Sequence, residues 1–187
     1  ETVTDRIDAG HLGGLSATLD HDELDPDVGD PVPPAGHWIY FNPRPKASDI
    51  GVDGHAKRGG FLPPVDLPRR MWAGGRIHWR KPLRVGDAVK RISTISDVNY
   101  KSGNSGDLVF VVVKHKISGP QGVCIEEEQD IVYRAPADPL EPQPLIKKAP
   151  NDAVWKRAIN PDPVLLFRYS ALTFNGHRIH YDLPYVT

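Results

Sequence analysis

Between residues 88 and 134 the chain runs through three strand-length stretches, 88–100, 107–117 and 123–134, separated only by Gly103-Asn-Ser-Gly106 and Gly119-Pro-Gln-Gly122. Links this short admit antiparallel hairpins and nothing else, because a parallel neighbour needs a crossover of a dozen or more residues. The middle stretch, Leu108-Val-Phe-Val-Val-Val113, is β-branched and apolar throughout, as a strand covered on both faces would be. The third alternates, with Cys124, Glu126, Glu128 and Asp130 offset from Val123, Ile125 and Ile131. Ahead of them, Arg76-Ile-His-Trp-Arg80 also alternates, and Pro82-Leu-Arg-Val-Gly-Asp87 supplies a turn. The constraint is therefore an antiparallel meander, and a meander with an apolar face needs something packed on it.

Two segments offer that cover. Leu12, Leu15 and Leu19 fall on one helix face within residues 1–20, despite Gly10, Gly13 and Gly14. A second short helix fits near Leu67–Ala73. The expected class is α+β, a sheet laid over a helix. Most of what remains is broken by proline, of which the chain has 19. Residues 20–36 form an acidic loop, and His37-Trp-Ile-Tyr-Phe41 reads as a short strand or an anchoring apolar segment. Residues 43–68 are too rich in Gly and Pro for a long helix or a central strand. From Ala135 to Pro150 prolines recur with few apolar residues, the composition of a semi-rigid linker. Three segments are expected: residues 1–135 as one domain, 136–162 as a Pro-rich linker, and 163–187 as the start of a second unit.

Composition narrows the partners. The net charge is −1 and the basic residues are scattered along the chain, which favours neither nucleic acid nor an anionic membrane surface. No apolar run approaches the roughly 20 residues of a membrane span. The single cysteine, Cys124, offers no internal disulfide, and the chain carries no signal-peptide pattern. A cytoplasmic location is expected, or the mitochondrial matrix if the source is eukaryotic.

Chemistry gathers near the carboxyl end, in Asn175-Gly-His-Arg-Ile-His-Tyr-Asp182. On an extended segment His180 and Asp182 would point to the same side, with Asn175 across the Asn-Gly turn. An imidazole with an amide or carboxylate partner can place a water and move its proton. The same residues also read as ordinary polarity beside a turn, and spacing alone leaves both readings open. A metal is not expected here. His177 and His180 stand three apart, but no third ligand follows at a zinc-site spacing. Asp53-Gly-His55, Lys57-Arg58-Gly-Gly and the pair Arg69-Arg70 form a basic, flexible region that either grips phosphates or is simply solvated. No Gly-rich nucleotide cradle and no nucleophile elbow occur.

Three stretches go further: Gly59-Gly-Phe-Leu-Pro-Pro-Val-Asp-Leu-Pro-Arg-Arg-Met-Trp-Ala-Gly-Gly75, Pro82-Leu-Arg-Val-Gly-Asp87, and the run Phe167 to Asp182. Together they resemble the MaoC-like hot-dog dehydratases, in the branch of the mesaconyl-C4-CoA and itaconyl-CoA hydratases and 3-hydroxyacyl-thioester dehydratase type 2. The resemblance implies a double hot dog, each unit an antiparallel sheet wrapped around a central helix, with the second, catalytic unit incomplete in these residues. It implies a hydro-lyase that reversibly hydrates an enoyl thioester, of the mesaconyl-C4-CoA or itaconyl-CoA type. A 3-hydroxyacyl-CoA or acyl-carrier-protein dehydratase is the alternative, and a non-catalytic acyl-binding or assembly module a third. No cofactor is implied beyond the CoA of the substrate.

The family's Asp-x-x-x-x-His pair falls on Asn175 and His180. An amide cannot accept a proton at neutral pH, so the resemblance leaves His180 as the acid/base. Asn175 then holds the water and Asp182 orients the ring. Arg168 and Arg178 are candidates for an acyl carboxylate, and Arg58, Arg69 and Arg70 for other oxyanions of the substrate. Pairing into a homodimer or larger assembly is expected. The rest of the second hot dog would come from further residues or another chain, without which this polypeptide should not turn over substrate.

Overall fold

A computed structural model describes residues 1–22, 25–103, 106–135 and 148–186. Five strands form one antiparallel sheet: β1 (Thr2–Arg6), β2 (Arg69–Trp79), β3 (Ala88–Gly103), β4 (Gly106–Gly119) and β5 (Gly122–Arg134), in the spatial order β1-β3-β4-β5-β2. The meander expected at 88–134 is β3-β4-β5, with Gly103 opposite Gly106 and Gly119 opposite Gly122. Residues 104 and 105 of the first turn lie outside the described residues, as do residues 136–147 of the expected linker.

Helix α1 (Ala9–Thr18) lies on the sheet, capped by Asp8, whose carboxylate accepts from the His11 amide at 2.7 Å. Its buried Leu12 and Leu15 pack with Val85, Val89, Ile117 and Ile125 in the main core. This is the sheet-over-helix arrangement of a hot-dog fold. The residues before α1 depart from the expected helical lead-in: Thr2–Arg6 is an edge strand registered on β3, Thr2 opposite Ile92 and Arg6 opposite Ala88. Its Thr-Val-Thr run favours extended backbone.

The helix expected near Leu67–Ala73 is absent. Arg69–Trp79 is strand β2, paired along its length with β5, and it bulges between Trp72 and Gly74. Ten ladder partners outweigh the weak helical signal of a stretch ending in Gly74-Gly75. His37-Trp-Ile-Tyr-Phe41 is the anchoring segment rather than a strand: a 3₁₀ turn spans Gly36–Ile39, and Ile39, Tyr40 and Phe41 are buried.

β5 sorts its side chains by face. Glu126, Glu128 and Asp130 lie on the outer side, ion-paired to Arg76 and Lys114 of the flanking strands and to Arg80 just past β2. Such exposed pairs contribute little each. Cys124 is buried instead of joining them, because the register shift beside Ile117 and Ser118 turns it inward. Glu127 faces the core, 3% exposed, where it accepts from His37 Nε2 (3.1 Å), the Trp38 indole (3.1 Å) and Gln129 (3.0 Å). Residues 61–67 cover the far part of β4 and β5, with Phe61, Leu62, Val65 and Leu67 packed against Val111, Val113 and Tyr133. Among the described residues no helix is long and apolar enough to cross a membrane.

Candidate active site

Helix α2 (Pro163–Leu172) starts from an Asp162 cap with Pro163 in its first turn and ends against α1. At Gly14 an added Cβ would stand 3.1 Å from Leu172 Cδ2, so the two helices pack closely here. The Leu172 carbonyl accepts from His11 Nε2 at 2.8 Å and from Asn42 Nδ2 at 3.1 Å. These bonds tie the end of α2 to α1 and to the segment after the 3₁₀ turn. The chain then reverses through Phe174 in the left-handed region (φ 48°), and the Asn175 amide donates to Ser170 O at 2.8 Å.

Asn175 opens an Asx turn, its Oδ1 accepting from the His177 amide at 3.0 Å. A short 3₁₀ turn, Arg178–His180, follows in place of the extended segment expected there. That turn undoes the predicted alignment of His180 with Asp182. The Asp182 carboxylate accepts from Arg178 Nε at 2.8 Å, so its charge is spent on the arginine four residues back. Among the described residues no contact joins Asp182 to His180.

Opposite this turn lies the loop 43–56, and the two enclose a cavity of about 900 Å³. Asn175, Ser170, Phe174, Arg178, His55 and Arg70 are among the residues on its wall. His180 is exposed and is not on the wall; its ring meets His177 edge-on at 5.2 Å. His177 in turn stacks on His55, ring centroids 3.7 Å apart and planes 28° from parallel. Three imidazoles thus run from the cavity outward.

The loop that delivers His55 is locally determined. Asp53 bonds twice to the residue two ahead: His55 N donates to Oδ1 and His55 Nδ1 donates to Oδ2, both at 3.0 Å. The carboxylate only accepts, so Nδ1 carries the hydrogen and Nε2 is left bare. Burial lowers the His55 pKa, helped by Arg70 and His180 and opposed by the bond to Asp53. Burial alone would raise the Asp53 carboxyl, but its bonds from His55 hold it below the usual range. His177 is driven down to about 4, first by burial and then by its neighbours His55 and His180. All three cluster members therefore favour the states they hold in a neutral solution: two neutral rings and one carboxylate.

Asp53, His55 and His177 also bring three donor atoms within 4.8 Å of one another, a spacing an ion could use. Nearly parallel stacked rings, however, set their in-plane lone pairs side by side. A zinc ion needs them converging at about 2.0–2.1 Å.

The expected arginines divide by what they touch. Arg70 and Arg178 reach the cavity. Arg178 is also engaged with Asp182, with Val52 O at 3.2 Å and with the Tyr185 ring at 4.2 Å, whereas Arg70 has no hydrogen bond or ion pair among the described residues. Arg168 and Arg69 are exposed and away from the wall. Arg58 is not placed to grip an oxyanion: its guanidinium donates to the carbonyls of Val65, Leu67 (2.8 Å) and Pro68 (2.9 Å), stapling the covering loop. Asp53-Gly-His55, expected as part of a basic, flexible region, is instead an Asp-x-His spacing that lets a carboxylate hold an imidazole within one turn.

Comparison with known proteins follows the same lines. The sequence profile of hydroxyacyl-thioester dehydratase type 2 matches residues 35–187. The chain is 48% identical over 186 residues to mesaconyl-C(4)-CoA hydratase of Chloroflexus aurantiacus, covering 99% of this chain and 66% of that protein. It is 27% identical over 177 residues to the mitochondrial hydroxyacyl-thioester dehydratase type 2 of Schizosaccharomyces pombe, covering 82% of this chain and 58% of that one. The crystal structure of a MaoC-like dehydratase from Phytophthora capsici superposes over all of this chain and 65% of its own, with a TM-score of 0.55 at 11% identity, a likeness of fold. The chain spans less than two thirds of the length of either curated relative.

Proposed function

Because the chain belongs to the hydroxyacyl-thioester dehydratase type 2 family, we propose that it contributes a hot-dog domain and the approach to the active site of an acyl-CoA hydro-lyase, which reversibly adds water across the double bond of an enoyl thioester. Mesaconyl-C4-CoA is the substrate type this reading favours. The observation that carries it is the 48% identity to a mesaconyl-C(4)-CoA hydratase along nearly the whole chain, joined by Asn175 on the wall of a cavity large enough for an acyl thioester arm. His180, one ring outside the cavity wall behind His177, is the proposed proton-transfer group, and Asn175, five residues before it, holds the water. Hydration and dehydration are one reaction run in two directions, and the likeness to a hydroxyacyl-thioester dehydratase keeps a longer 3-hydroxyacyl substrate as the second reading.

Assembly is part of the proposal. Trp155, Phe167, Phe174 and Leu183 are all at least 60% exposed along residues 154–183. Large apolar side chains gathered on one stretch mark a surface that other structure covers. Further hot-dog sheet, from the same polypeptide or a second subunit, is the cover proposed, with residues 163–186 opening that second unit.

Loss of the conjugated enoyl absorbance of mesaconyl-C4-CoA, followed in the assembled protein, tests the reading. Turnover is expected, and His180→Ala should lower kcat by ~10²–10⁴. Binding of the thioester without exchange of solvent protons into it would reduce the protein to an acyl-binding module.

A further inference from the structure

The family pattern leaves a vacancy at Asn175, because an amide cannot take the proton of an attacking water. Across the same cavity stands an imidazole that can. We infer that His55, held by Asp53, accepts the proton of the water that Asn175 positions. The inference rests on the proposed hydration and adds to it a proton acceptor supplied by the first domain.

Four observations carry it. His55 lies on the cavity wall that Asn175 also lines. Asp53 accepts from Nδ1 at 3.0 Å, which fixes the tautomer with a bare Nε2, as a carboxylate behind a catalytic histidine does. The ring is held from its face by His177 at 3.7 Å. The loop is pinned in place, since Arg178 N donates to Asp53 O at 2.9 Å and Gly51 N donates to His55 O at 2.7 Å. The charged and titratable groups facing His55 are Asp53, Arg70, His177 and His180. Burial keeps the ring neutral and so able to accept.

The step balances without a further reagent. Water oxygen bonds to the β-carbon while its proton passes to His55 Nε2. The π pair moves through the α-carbon onto the thioester oxygen. The enolate then collapses to form the α-carbon–hydrogen bond with a proton that reaches it from solvent by way of exposed His180. His55 has gained one proton and solvent has given one. His55 returns its proton to solvent when product leaves. Asp53 acts through His55 and is a positioning residue.

Three variants of the assembled protein test this with an enoyl-CoA as probe. His55→Ala should lower kcat by ~10²–10⁴ with a smaller change in KM. His55→Phe keeps a ring on His177 but has no proton acceptor, so it should be equally impaired while melting like wild type. Asp53→Asn should lower kcat less and displace the acid limb of the kcat/KM profile, the limb that reports the base. A His55→Phe enzyme with wild-type kcat would make the ring a packing element and overturn the inference, although a dead His180→Ala would leave the proposed function standing. Activity abolished by a chelator and restored by zinc would overturn it too, by making His55 a ligand. A wild-type protein that neither binds nor turns over any acyl-CoA would sink the underlying reading and this inference with it.

Discussion

Gly54 lies so close to the carbonyl of Gly176 that a methyl group on it would stand 1.8 Å from that oxygen. Its backbone is in the left-handed region as well, at φ +87°. The two glycines are where the loop carrying Asp53 and His55 meets the turn carrying Asn175 and His177. The site exists only while these backbones touch.

Gly54→Ala is therefore expected to separate the two walls. The left-handed conformation alone costs a non-glycine residue about 1–2 kcal/mol, and the clash adds to it. Hydrogen exchange at the Arg178 amide, which donates to Asp53 O at 2.9 Å, should speed up while the sheet amides keep their protection. An alanine variant with unchanged exchange at Arg178 would show that the two walls stay together without the Gly54–Gly176 contact.

The same contact should weaken in acid. The His177 pKa lies at about 4 in the folded chain, below the roughly 6.5 of an unfolded histidine. A group whose pKa falls on folding contributes stability above its unfolded value and loses it as pH falls towards the folded one. Docking of residues 173–181 should thus loosen between about pH 6.5 and pH 4, with Asp53, His55, Arg70 and His180 as the groups that face the ring. Histidine NMR titration reads this directly. A His177 that titrates near 6.5 would remove the effect.

Arg70 is the cavity's uncommitted cation among the described residues. Arg70→Met should raise KM for a C5-dicarboxyl thioester roughly 10- to 100-fold, and less for a plain enoyl thioester, because a charge-assisted bond to a carboxylate contributes about 1.5–3 kcal/mol. Arg168→Met, altering an exposed residue of α2, should change neither. Equal effects of Arg70→Met on both substrates would place the guanidinium against the common CoA portion instead.

Glu127 tests the core rather than the site. Burial alone would raise its carboxyl, but hydrogen bonds from His37, Gln129 and Trp38 hold it below the usual range. Its contribution is present above the unfolded glutamate pKa of roughly 4.3 and lost as pH falls through the lower folded value. Glu127→Gln should flatten that part of the acid unfolding curve. Glu127→Ala, which leaves the buried His37 and Trp38 donors unpartnered, should cost about 1–3 kcal/mol for each of them in a denaturant titration.

The meander could be read directly from residues 88–134, because strand period and two-residue turns are local properties. The helical face of Leu12 and Leu15 is local in the same sense. Strand β2 was not legible: what makes Arg69–Trp79 extended is its ladder with β5, about fifty residues away, and no nearby residue reports it. Glu127 shows the same limit, since a glutamate in an alternating strand reads as outward-facing until His37, Trp38 and Gln129 surround it.

For the site, sequence by itself determined which groups are available. Asn175 and His180 stand at the spacing of a hydratase pair, with an amide where that pattern has a carboxylate. Which other groups share a cavity with Asn175 was decided by tertiary structure alone. Asp53 and His55 are more than a hundred residues from Asn175, and only the packing of α2 on α1, with Leu172 O held by His11 and Asn42, brings the two loops to one cavity. Spacing along a chain governs what one turn can join, whereas proximity across a fold is set by the burial of apolar faces that carry none of the chemistry.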